Sequence, residues 1–170
     1  MTRHELIQSK IPRLAESVLW KITSPVDDRY NCIAWAACDD QRWWWPALFP
    51  RPDGQIDHWP NGVPRTETLD AFIHAFAGLG YSPCISPRFE FGYQKVAIYA
   101  DADGTPTHMA RQFFFLGWLS KLGPQEDIWH WHLRDVEGSD DPTSDEYGSV
   151  KQILKRNWWI AFKHWTGRRR

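Results

Sequence analysis

Between Asp39 and Arg65 the chain carries Pro46, Pro50, Pro52, Pro60 and Pro64, interleaved with Trp43, Trp44, Trp45 and Trp59. Proline fixes φ and lacks an N–H, so this span can hold neither a long helix nor an interior strand. It reads as an ordered loop packed by its own rings, which leaves regular structure to the segments on either side. The chain has twelve tryptophans in 170 residues. Rings that large fill a core economically, but each buried indole N–H needs an acceptor, so some are expected to line a surface groove.

N-terminal to the loop, Leu6, Ile7, Ile11, Leu14, Val18 and Leu19 recur at helical spacing from Arg3 to Trp20, interrupted by Pro12. After the polar run Asp27 to Asn31, the small and apolar residues Cys32 to Cys38 favour a helix, with Asn31 where an N-cap belongs. C-terminal to the loop, Thr66 opens a helix signature, with Glu67 and Asp70 in its first turn. Phe72, Ile73, Phe76 and Leu79 lie on one face, and Gly78 and Gly80 stop it.

The period then changes. Tyr93 to Ala100 and Thr107 to Phe115 flank the turn signal Asp101-Ala102-Asp103-Gly104 and predict a hairpin; Trp118 to Leu122 predicts a third strand. A helix or turn is expected around Ile128 to Leu133, then the acidic loop Glu137 to Glu146, then a C-terminal helix over about 147–165 from Val150, Ile153, Leu154 and Trp158. No repeat or linker divides the chain. The expectation is one α+β domain over 1–170, with a helical part over about 1–80 and a small antiparallel sheet over about 90–125.

Net charge is −1 and the pI about 6.6, so no global field draws the protein to nucleic acid. The basic cluster Arg168, Arg169 and Arg170, with Lys155, Arg156 and Lys163 before it, reads as a solvated terminus. Residues Met1 to Lys10 lack a signal-peptide pattern, and no run reaches the roughly 18 apolar residues of a membrane span. Three cysteines, Cys32, Cys38 and Cys84, match neither a zinc site nor a disulfide framework. Reduced thiols in a cytoplasmic protein, with no membrane partner and no cofactor, are expected; the oligomeric state is left open.

Cysteine chemistry needs a thiol, a base, and a group that orients the base. Cys32 would stand in the first turn of a helix, where free N–H groups favour a thiolate, and His108 near the start of the second hairpin strand. The segments Tyr30-Asn31-Cys32-Ile33-Ala34-Trp35-Ala36, Trp43-Trp44-Trp45-Pro46, Gly92 to Tyr99, Thr107-His108-x-Ala110-Arg111-Gln112 and Ser120-Lys121-Leu122-Gly123 resemble an uncharacterised bacterial domain family, over roughly residues 20 to 157. Within it the pattern is similar to papain-like peptidases and amidases such as the CHAP and NlpC/P60 groups, without the full signature of either. The resemblance implies a papain-like fold with Cys32 and His108 as its pair.

In papain-like enzymes the orienting group comes from the strand after the histidine. Asp127, nineteen positions downstream, is the first choice; Ser120 has better strand context but orients more weakly, and Gln112 requires a bent strand. The backbone N–H of Cys32, joined by Asn31, is the candidate oxyanion donor. The expected activity is hydrolysis of an amide, peptide or isopeptide bond in a peptide or protein substrate through a thioester. Transglutaminase-like acyl transfer uses the same centre, and a toxin or effector would share the chemistry. The rival is a non-catalytic module that grips a peptide with the Trp43, Trp44 and Trp45 groove, the cysteine being an inert core residue. His130 and His132 near Asp127 suggest a metal pair but lack a second ligand cluster, so no metal is expected.

Overall fold

The computed structural model describes residues 1–17, 19–138 and 146–159. Its centre is a seven-stranded antiparallel sheet in the order β1-β6-β5-β4-β3-β7-β2. The strands are β1 (Trp20–Ile22), β2 (Ser82–Cys84), β3 (Tyr93–Ala100), β4 (Pro106–Gln112), β5 (Trp118–Lys121), β6 (Asp127–His130) and β7 (Ser149–Asn157). Among the described residues four short α-helices accompany it: α1 (Arg3–Lys10), α2 (Arg13–Glu16), α3 (Cys32–Ala36) and α4 (Leu69–Ala77).

Alternation along the strands divides the interior in two. Val96, Ile98, Met109 and Leu154 point to one face, where they meet Ile33, Ala34, Phe72, Phe76 and Trp44. Ala97, Tyr99, Ala110 and Ile153 point to the other, against Ile7, Ile11, Leu14 and Val136. Burying a side chain such as Phe72 or Phe76 completely is worth roughly 2 to 3 kcal/mol, which makes the two layers the main source of cohesion.

This double burial explains the largest departure from the sequence reading. Val150, Ile153 and Leu154 have helical spacing, yet Ser149–Asn157 is strand β7, paired with β3 and β2. Ile153 and Leu154 are adjacent because each serves a different face, and a strand buried on both sides loses the alternation that distinguishes it from a helix. The part of the expected C-terminal helix beyond residue 159 lies outside the described residues, as do positions 139–145 of the acidic loop. For the same reason Asp127–His130 is strand β6, not a helix, followed by a 3₁₀ turn at Leu133–Val136.

Other expectations shift by a few residues. The N-terminal helix is split at Pro12 as its sequence implies, but Trp20 belongs to an edge strand. Thr68, not Thr66, caps α4: its hydroxyl accepts from the Ala71 N–H at 3.3 Å. The proline-rich stretch has no regular element beyond an isolated bridge between Trp44 and His58, and it is pinned by Trp44 and Trp59, both buried.

Gly148 turns the chain into β7 at φ +65, where an added Cβ would meet the Ala100 carbonyl oxygen at 2.2 Å. Gly54, at φ +80, has open space around it. Gly148→Ala is therefore expected to cost about 2 to 4 kcal/mol and Gly54→Ala only about 1 kcal/mol, as read by urea unfolding. Equal costs would show that backbone strain alone, without the contact to β3, sets the penalty.

Candidate functional site

Asn31 shapes the region around the candidate nucleophile. Its Oδ1 accepts from the Ala34 N–H at 3.1 Å, which caps α3, and from the Trp44 N–H at 3.2 Å, while its Nδ2 donates to the Trp44 carbonyl at 2.9 Å. One buried amide thus starts the helix and clamps the tryptophan-rich loop onto it. The side chain is thus cap and clamp at once, with one of its two Nδ2 protons committed to Trp44.

Cys32 is the first residue of α3 and is 6 % exposed. Burial pushes its thiol up to about 11, in spite of nearby N–H groups of Met109, Ile33 and Cys32 itself and the charge of Lys121. The thiolate expected from a helix N-terminus is thus overturned. A helix end contributes about 0.3 to 1 kcal/mol and α3 has only five residues, whereas removing a charge from water shifts a group by several pKa units. The resting group is a neutral thiol.

His108, on β4, is fully buried. Its Nε2 lies 3.0 Å from the Ser120 hydroxyl, which lies 2.9 Å from His130 Nε2; His130 Nδ1 lies 2.8 Å from the His132 carbonyl. Burial lowers the His108 pKa to about 3 and that of His130 to about 4, so both rings are neutral at pH 7. The direction of every bond in the chain then follows. A carbonyl can only accept, so His130 Nδ1 carries the proton and its Nε2 accepts. Ser120 gives its single proton to His130, so His108 Nε2 must donate to Ser120. His108 Nδ1 is left as a bare lone pair, buried and without a hydrogen-bond partner. Tyr147 stacks on the ring with centroids 4.0 Å apart, and Tyr99 meets it edge-on at 5.3 Å.

Strand register determines which candidates meet. The β4–β5 ladder pairs Ala110 with Ser120, and β5–β6 pairs Ser120 with Ile128, which brings His108, Ser120 and His130 to one face. Lys121 pairs with Asp127, one residue out of phase, and both face the other way. Asp127 accepts from the Tyr30 hydroxyl at 3.0 Å and lies 3.8 Å from Lys121 Nζ, while Ser120, the weaker alternative in the sequence, is the group bonded to His108. Gln112 donates to the Pro87 carbonyl.

The β4–β5 pairing ends at Ala110, and the N–H of Met109, the residue after His108, lies against the Cys32 sulfur. Cys32 packs with Met109 on one face of β4, whereas His108 shares the other face with Ala110 and Tyr99, so the sheet lies between thiol and imidazole and no hydrogen bond joins them. His130, weighed in the sequence only as a metal ligand, and Tyr147 were missed as members of this cluster. The alternation of Ser120 with Ile128 and His130 would have revealed His130 had β6 been recognised. Both ring nitrogens of His130 are engaged, and among the described residues no three His, Cys, Asp or Glu side chains group as metal ligands.

Of the three groove candidates, Trp44 is buried and donates to Asp39 at 2.9 Å, and Trp45 packs edge-on against Phe72 and donates to Glu67. Trp43 lines a cleft of about 910 Å³ with Arg42, Arg51, Arg65 and Asp28. A guanidinium sits over its ring, with the Arg51 carbon 5.3 Å from the centroid. A second cleft, of about 550 Å³, runs between α1 and the β5–β6 turn and is bordered by Tyr147. No helix among the described residues is long and apolar enough to cross a membrane.

A family model described as "Domain of unknown function (DUF7689)" matches residues 21–155, most of the chain. No curated protein and no solved structure matches.

Both imidazoles have folded pKa values below the unfolded value of about 6.5, so the unfolded chain binds more protons once pH falls below that value. Their contribution to stability is complete above about pH 6.5 and is expected to be lost as pH falls toward 4 and then 3, by up to about 1.4 kcal/mol per pH unit for each ring. Urea unfolding at about pH 7 and about pH 4.5, with His130→Gln as a comparison of reduced slope, measures this. A flat profile would mean that the rings are charged or solvated in the folded protein.

Proposed function

The chain belongs to the DUF7689 family, whose description carries no activity, and from that premise we propose that it is a cysteine hydrolase of the papain-like class that cleaves an amide, peptide or isopeptide bond through a thioester. The observation that carries the reading is the bare, buried Nδ1 lone pair of His108, fixed by the Ser120 and His130 chain on a strand whose next residue, Met109, turns its N–H to the Cys32 sulfur. The order of elements supports it further: a helix that begins with the thiol, a hairpin strand that bears the imidazole, and a next strand that bears its orienting group.

Because thiol and imidazole are both neutral at rest, the chemistry is general-base attack, not reaction of a preformed ion pair. The S–H proton moves to His108 Nδ1 as sulfur bonds to the carbonyl carbon. The tetrahedral intermediate collapses when Nδ1 returns that proton to the leaving amine, giving a thioester. Water then attacks with Nδ1 again as base, and the acid and free thiol are released. An amine in place of water would give transfer instead of hydrolysis. The backbone N–H of Cys32 is the oxyanion donor in this scheme, and Ser120 and His130 spread the transient imidazolium charge along the relay. No hydrogen bond joins Cys32 to His108 at rest, and the scheme requires His108 Nδ1 to come within reach of the thiol when substrate binds. The Trp43 cleft, which also includes Asp28 and Arg29 just before the α3 cap, is the substrate groove in this reading.

A pool of peptide vinyl sulfones, read by intact mass and peptide mapping, tests the assignment. Modification is expected at Cys32 ahead of Cys38 and Cys84. It is expected to slow at least about a hundredfold in His108→Ala and roughly tenfold in Ser120→Ala, with Asp127→Asn close to wild type. No adduct at Cys32, or one indifferent to His108, would overturn the hydrolase and favour the peptide-binding module built on the Trp43 cleft.

A further inference from the structure

Where β3 begins and β4 and β7 end, the sheet carries two guanidiniums and no acid to balance them. Arg111 on β4 stands opposite Val96 of β3, and Arg156 on β7 opposite Gln94. Arg156 is buried; its Nε and Nη2 donate to Gln94 Oε1 at 3.0 and 2.8 Å, and its guanidinium carbon lies 4.5 Å from the Tyr81 ring centroid. Arg111 is half-buried; its Nη1 donates to the Trp35 carbonyl at 3.1 Å and to Cys38 Sγ at 2.9 Å, with the guanidinium carbon 4.3 Å from the Trp35 centroid. Arg156 Nη2 reaches the same sulfur at 3.3 Å. Among the described residues neither guanidinium has a carboxylate within ion-pair distance. Asp127 feels the Arg111 charge from further off and is engaged by Tyr30 and Lys121. Cations withdrawn from water without a counter-charge are costly, and two that share one acceptor also repel each other, so the pair is poised for an anion.

The unspent donors indicate which anion fits. Both Nη1 protons of Arg111 are used, whereas its Nε and Nη2 have no acceptor among the described residues. That edge of a guanidinium presents two parallel N–H bonds, which match the two oxygens of a carboxylate. Arg111 also lines a cavity of about 200 Å³ with Gln94, Leu119, Phe113, Phe114 and Trp158. Mostly apolar walls with one convergent charged group are the usual form of a small-ligand site, and such sites span roughly 300 to 1,000 Å³ for drug-sized molecules, so the occupant here is smaller. We propose that this cavity binds an organic carboxylate with a compact apolar or aromatic body, its two oxygens on Nε and Nη2 of Arg111 and its body against Phe114, Leu119 and Trp158. Arg156, sharing Cys38 with Arg111, adds positive potential, and Trp35 holds the Arg111 fork flat. The same chemistry is offered by a free acid and by the terminal residue of a peptide. The site is independent of the hydrolase reading, since none of these residues belongs to the His108 chain.

Titration of the full chain with 3-phenylpropionate, followed by calorimetry and by the ¹⁵Nε–¹Hε resonance of Arg111, tests it. The acid is expected to bind at least about tenfold tighter than the neutral 3-phenylpropanamide, as loss of a charge-assisted pair implies, and to move the Arg111 resonance, which the amide leaves in place. Arg111→Lys, which keeps the charge and loses the fork, is expected to weaken binding about tenfold. Phe114→Ser, which leaves Arg111 and the buried core untouched, is expected to weaken acid and amide alike by about fivefold. A tetrapeptide ending in phenylalanine, with its carboxyl free or amidated, separates the sources: preference for the free carboxyl assigns the site to a chain end, and binding of 3-phenylpropionate without the peptide assigns it to a free acid, both in support of the proposal. Absence of binding by the folded chain, equal binding of acid and amide, or acid binding that leaves the Arg111 resonance unmoved and survives both variants overturns it.

Discussion

A serine hydroxyl owns one proton, and Ser120 stands between two imidazole nitrogens that each require something of it. Because the His132 carbonyl fixes His130, and His130 fixes Ser120, the state of His108 is determined three hydrogen bonds away from its own free nitrogen. That chain exists only while β4, β5 and β6 hold their register, since a slip of one residue would exchange Ser120 for Lys121 and His130 for Trp129. The layers on both faces of the sheet secure that register, and the site is a consequence of the core.

Two environments compete for Cys32, and magnitude decides between them. A one-and-a-half-turn helix offers its thiol little electrostatic help, while a core that excludes water penalises the charged form much more. The same desolvation lowers His108, so burial drives acid and base apart until both are neutral. In the proposed mechanism such a pair stores no ion pair and depends on a single lone pair for proton transfer. Asn31 supports it from the other side by holding the start of α3 and the tryptophan loop with one amide.

Much of this was legible in the sequence. Asn31 as cap, the interruption at Pro12, the β3–β4 hairpin and the strand at Trp118 all follow from local chemistry that tertiary structure does not override. β7 and β6 were not legible, because a strand covered on both faces places apolar residues next to one another and imitates helical spacing. The error at β6 carried into the site: with 128–133 read as a helix or turn, His130 had no reason to share a face with Ser120, and Asp127 was preferred on chemical grounds alone. The thiolate at Cys32 failed for a different reason, since solvent exclusion around a residue is a property of the whole packed chain.

The most direct measurement is a long-range ¹⁵N–¹H correlation spectrum of the histidine rings at neutral pH, assigned with His108→Gln and His130→Gln. The hydrogen-bond chain requires opposite tautomers: a protonated Nε2 with a bare Nδ1 in His108, and a protonated Nδ1 with a bare Nε2 in His130. Finding His108 protonated at Nδ1, or as an imidazolium with both nitrogens protonated, would remove the lone pair on which the account rests.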